Sequence, residues 1–309
     1  MIIKPSSTIS ENPGIDVFHA LREIEDHHNI RIIQACIVGS RAHGIDNRET
    51  GRSDWDVRFV FVNRPDDYVS INSKTSSVGL GSPKSLTGKT KLDVYGWELG
   101  TFLNCLKLSK FNQCELMYSP MLIPEFTDME LLKNMRDLAD RSLNPATLLY
   151  SVYGFMRHYE AAHVSKGNNG GANVYKRLLN MQRLYVTASF IVDYASSGHV
   201  GYPPVNMAEC LDVQKYAIKP EDLAWVAVGK GRPAIEVETE FLDKYMPNVE
   251  KWCKFVKSRD DLVPKLPSDP EFDAMYRSAV FAPSLKYGPE REAMLKMLED
   301  YKEEGEPNG

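Results

Sequence analysis

The 309-residue sequence is poor in cysteine, with only five, at positions 36, 105, 114, 210 and 253. The number is odd and no two form a C-x-x-C pair, which argues against a disulfide framework and against a structural zinc site. Reduced, mostly buried thiols in a cytoplasmic setting are the expectation. No run approaches the roughly 18 apolar residues that span a bilayer, so no membrane is expected as a partner. The opening stretch MIIKPSSTISENPG has no apolar signal region. Positive charge is not in excess either. The net charge of −5 argues against coating nucleic acid through bulk charge, while a local basic groove stays open. There is no internal repeat and no coiled-coil heptad. What is present, 43% hydrophobic and 26% charged residues, is the composition of a globular chain able to bury a core.

Patterning divides the chain near residue 143. Before it, residues 17–29 read as an amphipathic helix, 32–38 as a buried strand ended by Gly39, 55–62 as a second strand and 90–95 as a third. Ser40 is expected to cap a short helix. Residues 46–53 read as a turn-rich loop, and 63–89 as a long polar loop with room for one short element. After the third strand, helices are expected at 98–108, 129–140, from Asn144-Pro145 to about 163, 174–195, 236–258 and 289–303. The GNNGGA stretch at 167–172 reads as a break and the acidic tail EEGEPNG as frayed. The resulting fold class is α+β: an N-terminal α+β domain in residues 1–143, followed by a helical domain in 144–309.

The chemistry concentrates in CIVGSRAHGIDNRETGRSDWDVRFVFV, residues 36–62. An apolar strand ends in Gly39-Ser40, a turn able to grip a phosphate. Asp54 and Asp56 then stand two apart, on one face of a strand with Trp55 on the other. Two neighbouring carboxylates repel unless a cation lies between them. Mg²⁺, or Mn²⁺ in its place, suits such a pair, because it takes one or two carboxylates and completes its shell with water and phosphate oxygens. Asp93, flanked by Leu92 and Val94, needs a reason to be charged on a strand, and a neighbouring strand bearing Asp54 and Asp56 supplies one. Taken singly, each feature is ordinary: a D-x-D pair is usually a turn and a Gly-Ser usually a tight bend. Their order along the chain is what points to a nucleotide and metal site.

These residues resemble the DNA polymerase β-like nucleotidyltransferase superfamily, whose pattern is strand, Gly-Ser, helix, then a strand with Asp-x-Asp and a third carboxylate on a later strand. More narrowly, the stretch is similar to uncharacterised bacterial and phage nucleotidyltransferases that include the RNA-ligase-associated polymerase group. Arg41, His43, Gly44, Ser53 and Arg58 agree with that group, while Phe59 stands where it usually has glycine. In NQCELMYSP (112–120), Glu115 and Ser119 agree, and the usual proline after Asn112 is missing. Tyr153, Lys176 and Arg177 resemble the family's helical half. For the fold, the resemblance implies a small mixed β-sheet flanked by helices in residues 1–143, with the helical domain of 144–309 closing the nucleotide cleft.

The resemblance implies transfer of a nucleoside monophosphate from a triphosphate, with ATP the expected donor, to an acceptor hydroxyl on an RNA 3′ end, a protein side chain or a small molecule. It implies Asp54, Asp56 and Asp93 as both catalytic residues and metal ligands. One ion would then activate the acceptor and the other offset the charge of the leaving pyrophosphate. The nucleotide-binding set it implies is Gly39, Ser40, Arg41, His43, Lys176 and Arg177.

Arg58 shares a face with Asp56 and reads as a structural salt bridge. Lys74, Lys84, Lys89 and Lys91 read first as a solvated loop and second as a guide for anions. His158 and His163, five apart, do not share a helical face and are not taken as metal ligands. Tyr150, Tyr153 and Tyr159 read as core packing before base stacking. Two competing functions remain: a non-catalytic nucleotide- or RNA-binding module on the same fold, and a metal-dependent phosphodiesterase. The second is weakened because such sites add histidine ligands beside the acids, and the only histidine near these aspartates is His43.

Overall fold

The computed structural model describes residues 13–45, 54–71, 74–80, 90–166, 171–212, 218–282, 292–293, 295–297 and 299–300. Helix α1 (Pro13–His28) precedes strand β1 (Arg31–Val38), which runs into a single helical turn, α2 (Gly39–Ala42). Strand β2 (Trp55–Val62) follows, then a 3₁₀ turn at Pro65–Tyr68, a short strand β3 (Ser77–Leu80) and β4 (Leu92–Glu98). The four strands lie in the order β1-β2-β4-β3. β1 pairs antiparallel with β2, β2 parallel with β4, and β3 antiparallel with β4, so the sheet is mixed. The polar stretch read as loop thus yields an edge strand. Four residues of SVGL, flanked by serine and glycine, are too short to show an alternation.

The faces of β2 explain the rest of the architecture. Val57, Phe59 and Phe61 point to one side and are fully buried with Val17, Phe18, Leu21 and Ile24 of α1. Asp56, Arg58, Val60 and Val62 share the opposite face by alternation. Its lower part, Val60 and Val62, is buried under α3 (Leu99–Lys107), α4 (Phe111–Met117) and α5 (Met129–Ser142), together with residues of the helical half. Its upper part, at Asp56 and Arg58, is only half-buried. Phe59, the departure from the resembled pattern, therefore does not crowd the aspartates. It lies on the α1 side against Gly96, its register partner on β4, where a Cβ would come within 2.2 Å of the Phe59 ring. Bulk on β2 is matched by its absence on β4.

Asn144 opens α6 (Pro145–Lys166) by accepting the Thr147 N–H on Oδ1 at 3.1 Å, as the Asn-Pro pair suggests. α7 (Gly171–Ser196), α8 (Met207–Asp212), α9 (Ala224–Gly229) and α10 (Ala234–Lys257) follow, with α10 packed on α6 and α7. The buried apolar cluster of the helical half is continuous with that beneath Ile33, Cys36, Val60 and Val62 of the sheet. Helix α11 (Asp269–Val280) returns to α3 and α5. There the Arg31 guanidinium donates to the carbonyls of Ala279 (2.6 Å) and Ala282 (3.0 Å), and Tyr276 donates to buried Glu98 at 2.9 Å. Residues 292–293, 295–297 and 299–300 are helical, within the stretch expected to be so. The 46–53 loop, the GNNG residues 167–170 and the acidic tail lie outside the described residues.

Candidate active site

Gly39 ends β1 with φ +69°, a left-handed conformation that glycine adopts without penalty. Its missing side chain matters as much. A Cβ there would stand 2.0 Å from Oδ2 of Asp56, so the carboxylate rests directly against the Gly-Ser turn. Ser40 does not cap α2. The capping position is Val38, which has no side-chain hydrogen bond to offer, and Ser40 lies inside the turn, half-buried. The turn is closed by backbone bonds from His43 N–H to Gly39 O (3.0 Å) and from Ile45 N–H to Ser40 O (3.0 Å).

Asp56 and Asp93 are register partners on the parallel strands β2 and β4, and Asp54 precedes β2 by one residue, exposed. Asp56 and Asp93 are thus neighbours on one sheet face, and Asp54, at the entry to β2, lies within electrostatic reach of Asp56. Asp56 has its pKa raised. Burial is the main cause, opposed by Arg58; Asp93 adds to it, Lys176 of α7 opposes and Asp54 adds. Lys176 is therefore brought from the helical half to within electrostatic reach of Asp56, while its own head stays exposed. Arg58 does form a salt bridge, but with Asp93: its guanidinium donates to Asp93 Oδ2 and to the Asp93 carbonyl, both at 2.9 Å. Among the described residues, no three His, Cys, Asp or Glu side chains stand ready-clustered for a metal ion. The donor chemistry nevertheless fits a hard cation, since the three groups carry only carboxylate oxygens and Asp56 is held at an unfavourable charge.

The remaining expected residues lie around this centre in different roles. Arg41 stacks on the Trp55 ring at 4.0 Å and donates to the Asp54 carbonyl at 3.4 Å, which ties the Gly-Ser turn to the start of β2. His43 is buried, with Nε2 2.9 Å from Oε1 of Glu115. Burial lowers the pKa of His43 despite the pull of that carboxylate, so the ring is neutral. Arg177 does not face the aspartates. It makes a two-pronged bond to fully buried Glu238 of α10, at 2.5 and 2.6 Å, which His163 joins at 2.7 Å. Lys74 lies over the Tyr68 ring at 4.4 Å and donates to Tyr276, while Lys84 and Lys89 fall outside the described residues. Tyr153 and Tyr159 pack against the core, and Tyr150 is exposed.

Arg183 escaped the sequence reading. It donates to the same Glu115 oxygen at 2.5 Å, so one buried carboxylate binds α7 and stands in contact with the motif loop. Burial alone would raise the Glu115 pKa, but Arg183 and then His43 bring it down to about 2. A signal was available: an arginine inside the apolar run LLNMQRLYVTASF demands a buried partner.

Comparison with known proteins bears on this arrangement. A family model described as the RNA repair pathway DNA polymerase beta family matches residues 15–237, from α1 into α10. The chain is also 31% identical over 121 residues to the "uncharacterized protein YcgL" of Bacillus subtilis (strain 168). That match covers 39% of this chain and 43% of the relative, so the chain spans less than half of that protein's length.

Proposed function

The chain belongs to the RNA repair pathway DNA polymerase beta family, and on that premise we propose that it moves a nucleoside monophosphate from an NTP to an acceptor hydroxyl. The observation carrying this reading is the pairing of Asp56 with Asp93 on neighbouring strands, with Gly39 pressed against Asp56 and with Asp54 and Lys176 within electrostatic reach of it. ATP is the expected donor. The family's place in RNA repair favours an RNA 3′ end as acceptor over a protein side chain or a small molecule.

Asp54, Asp56 and Asp93 are the residues that would hold Mg²⁺ or Mn²⁺, which would supply Lewis-acid stabilisation of the phosphate charge. The chain's own contribution is positional and electrostatic. The Gly39-Ser40 turn would receive the triphosphate beside Asp56, and Lys176 would face its charge from the opposite side of the cleft. Arg58 would give up Asp93 on substrate arrival, and Asp93, the more exposed carboxylate, would take the acceptor's proton.

The Arg58–Asp93 ion pair also supports a second reading, in which the fold binds a nucleotide without turning it over. Incubation with each α-³²P-labelled NTP, Mg²⁺ or Mn²⁺, and RNA or protein acceptors separates the two. Transfer of label to one pool, reduced about a thousandfold or more in Asp54→Ala/Asp56→Ala, is the expected outcome. Binding of NTP without transfer in any pool would favour the binding module.

A further inference from the structure

We infer that Glu115 is a positioning residue for the triphosphate grip, joining the phosphate turn to the lysine that faces it. The inference rests on the reading of the cleft as a triphosphate site. Three elements distant in sequence meet at Glu115. From the motif loop comes His43, three residues beyond Ser40, with Nε2 2.9 Å from Oε1. From α7 comes Arg183, 2.5 Å from the same oxygen. Glu115 itself stands on α4, packed beneath the helical half.

Arg183 lies seven residues, about two helical turns, beyond Lys176, so the two side chains leave α7 on nearly the same side. Fixing Arg183 therefore fixes where Lys176 enters the cleft. A second tie acts on the same loop: the Met207 N–H donates to the His43 carbonyl at 3.0 Å, and Asn206 packs against Gly44, where φ is +69°. The far side of α7 is held by Arg177 on Glu238. Lys176 stands between these anchors on the helix, exposed and within electrostatic reach of Asp56, whereas its neighbour Arg177 is bound to a structural carboxylate. Ser40 and Lys176 come from opposite halves of the chain, and both depend on Glu115 for their relative placement. His43, neutral and buried, serves here as a spacer from the turn to Glu115 and not as a phosphate ligand.

The test is nucleotide affinity, measured with ATP and with adenosine, both with Mg²⁺, on the full chain. Glu115→Gln is expected to weaken ATP about tenfold or more while adenosine binding stays within about twofold. Ser40→Ala, costly in the unaltered protein, is expected to add little on top of Glu115→Gln, because the turn is already released. A general loosening of the fold would weaken both ligands together. If Glu115→Gln folds poorly, Glu115→Gln/Arg183→Met removes both buried charges, which restores stability, and the same loss specific to the triphosphate is expected. Unchanged ATP affinity in either folded variant, or equal loss of ATP and adenosine, overturns the inference. If the unaltered protein binds none of the four NTPs, the reading of the cleft itself fails, a result distinct from either of these.

Discussion

Asp56, half-buried, and Glu115, buried, are both carboxylates withdrawn from water to some degree, yet they answer to pH in opposite directions. Asp56 has its pKa raised, so above that value its ionised form is less favourable in the folded than in the unfolded chain. Asp56→Asn is therefore expected to raise the melting temperature at neutral pH, with the gain vanishing below about pH 3, where both states are protonated. Thermal melts at the two pH values check this, and a variant that melts lower at pH 7 would contradict it. Glu115, brought from an ordinary 4.5 to about 2, contributes stability that is complete above about pH 4.5 and lost as pH falls toward 2. Glu115→Gln should remove about 3 kcal/mol at neutral pH and flatten acid unfolding across that window, as urea titrations at stepped pH would show.

At the scale of elements, β2 and β4 carry the site and also its main packing constraint. Phe59 is fully buried and occupies the space that Gly96 leaves. Gly96→Ala should cost about 1–3 kcal/mol, because the ring cannot retreat into a close-packed cluster. Phe59→Leu, destabilising by itself, should recover part of that loss in the double variant, and a double-mutant cycle by denaturant unfolding reads the coupling.

These elements also show what could be read beforehand. β1, β2, β4 and the long helices announce themselves by alternation, by apolar periodicity, or by Asn144 before Pro145. The aspartates follow because their order along the chain maps onto strands that pair. Pairing itself is a long-range fact. That Arg58 would choose Asp93 over Asp56, or that Glu115 would hold Arg183, depends on register and on helices brought together from remote sequence. The edge strand β3 is legible only as room for one short element in the 63–89 loop, and the helix α11 is not among the helices the patterning names. The first is too short to alternate. The second did carry a signal, a Ser268/Glu271 capping box with proline in the first turn and apolar residues at Phe272, Met275 and Ala279 in helical spacing.

At the scale of the whole molecule, the change from strands to helices near residue 143 is a change of secondary structure and not of core. One buried cluster runs from Ile33 and Val60 through Leu148 and Leu178 to Val249. A single cooperative thermal transition is expected, and calorimetry resolving two would show that the halves fold apart. The returning α11 is part of the same unit. It is joined by Arg31 to two carbonyls, by Tyr276 to Glu98, by Lys107 to Asp269 and by Arg141 to Glu271. Arg31→Gln should lower the melting temperature by about 2–5 °C through the carbonyls it leaves unpaired, without changing the denaturant slope.

The knot at Glu115 has a consequence for the birth of the protein. The turn at Gly39 leaves the ribosome early, and the three aspartates are all out by residue 93. Arg183, Lys176 and Met207 follow only after more than half the chain has been made, and the α11 clasp later still. Translation runs at roughly 5–20 residues per second, so the Gly39-Ser40 turn waits on the order of ten seconds for the helix that carries Arg183. During synthesis the emerging chain carries its acidic centre without its grip, and the order of the elements along the gene delays the cleft until most of the molecule exists to control it.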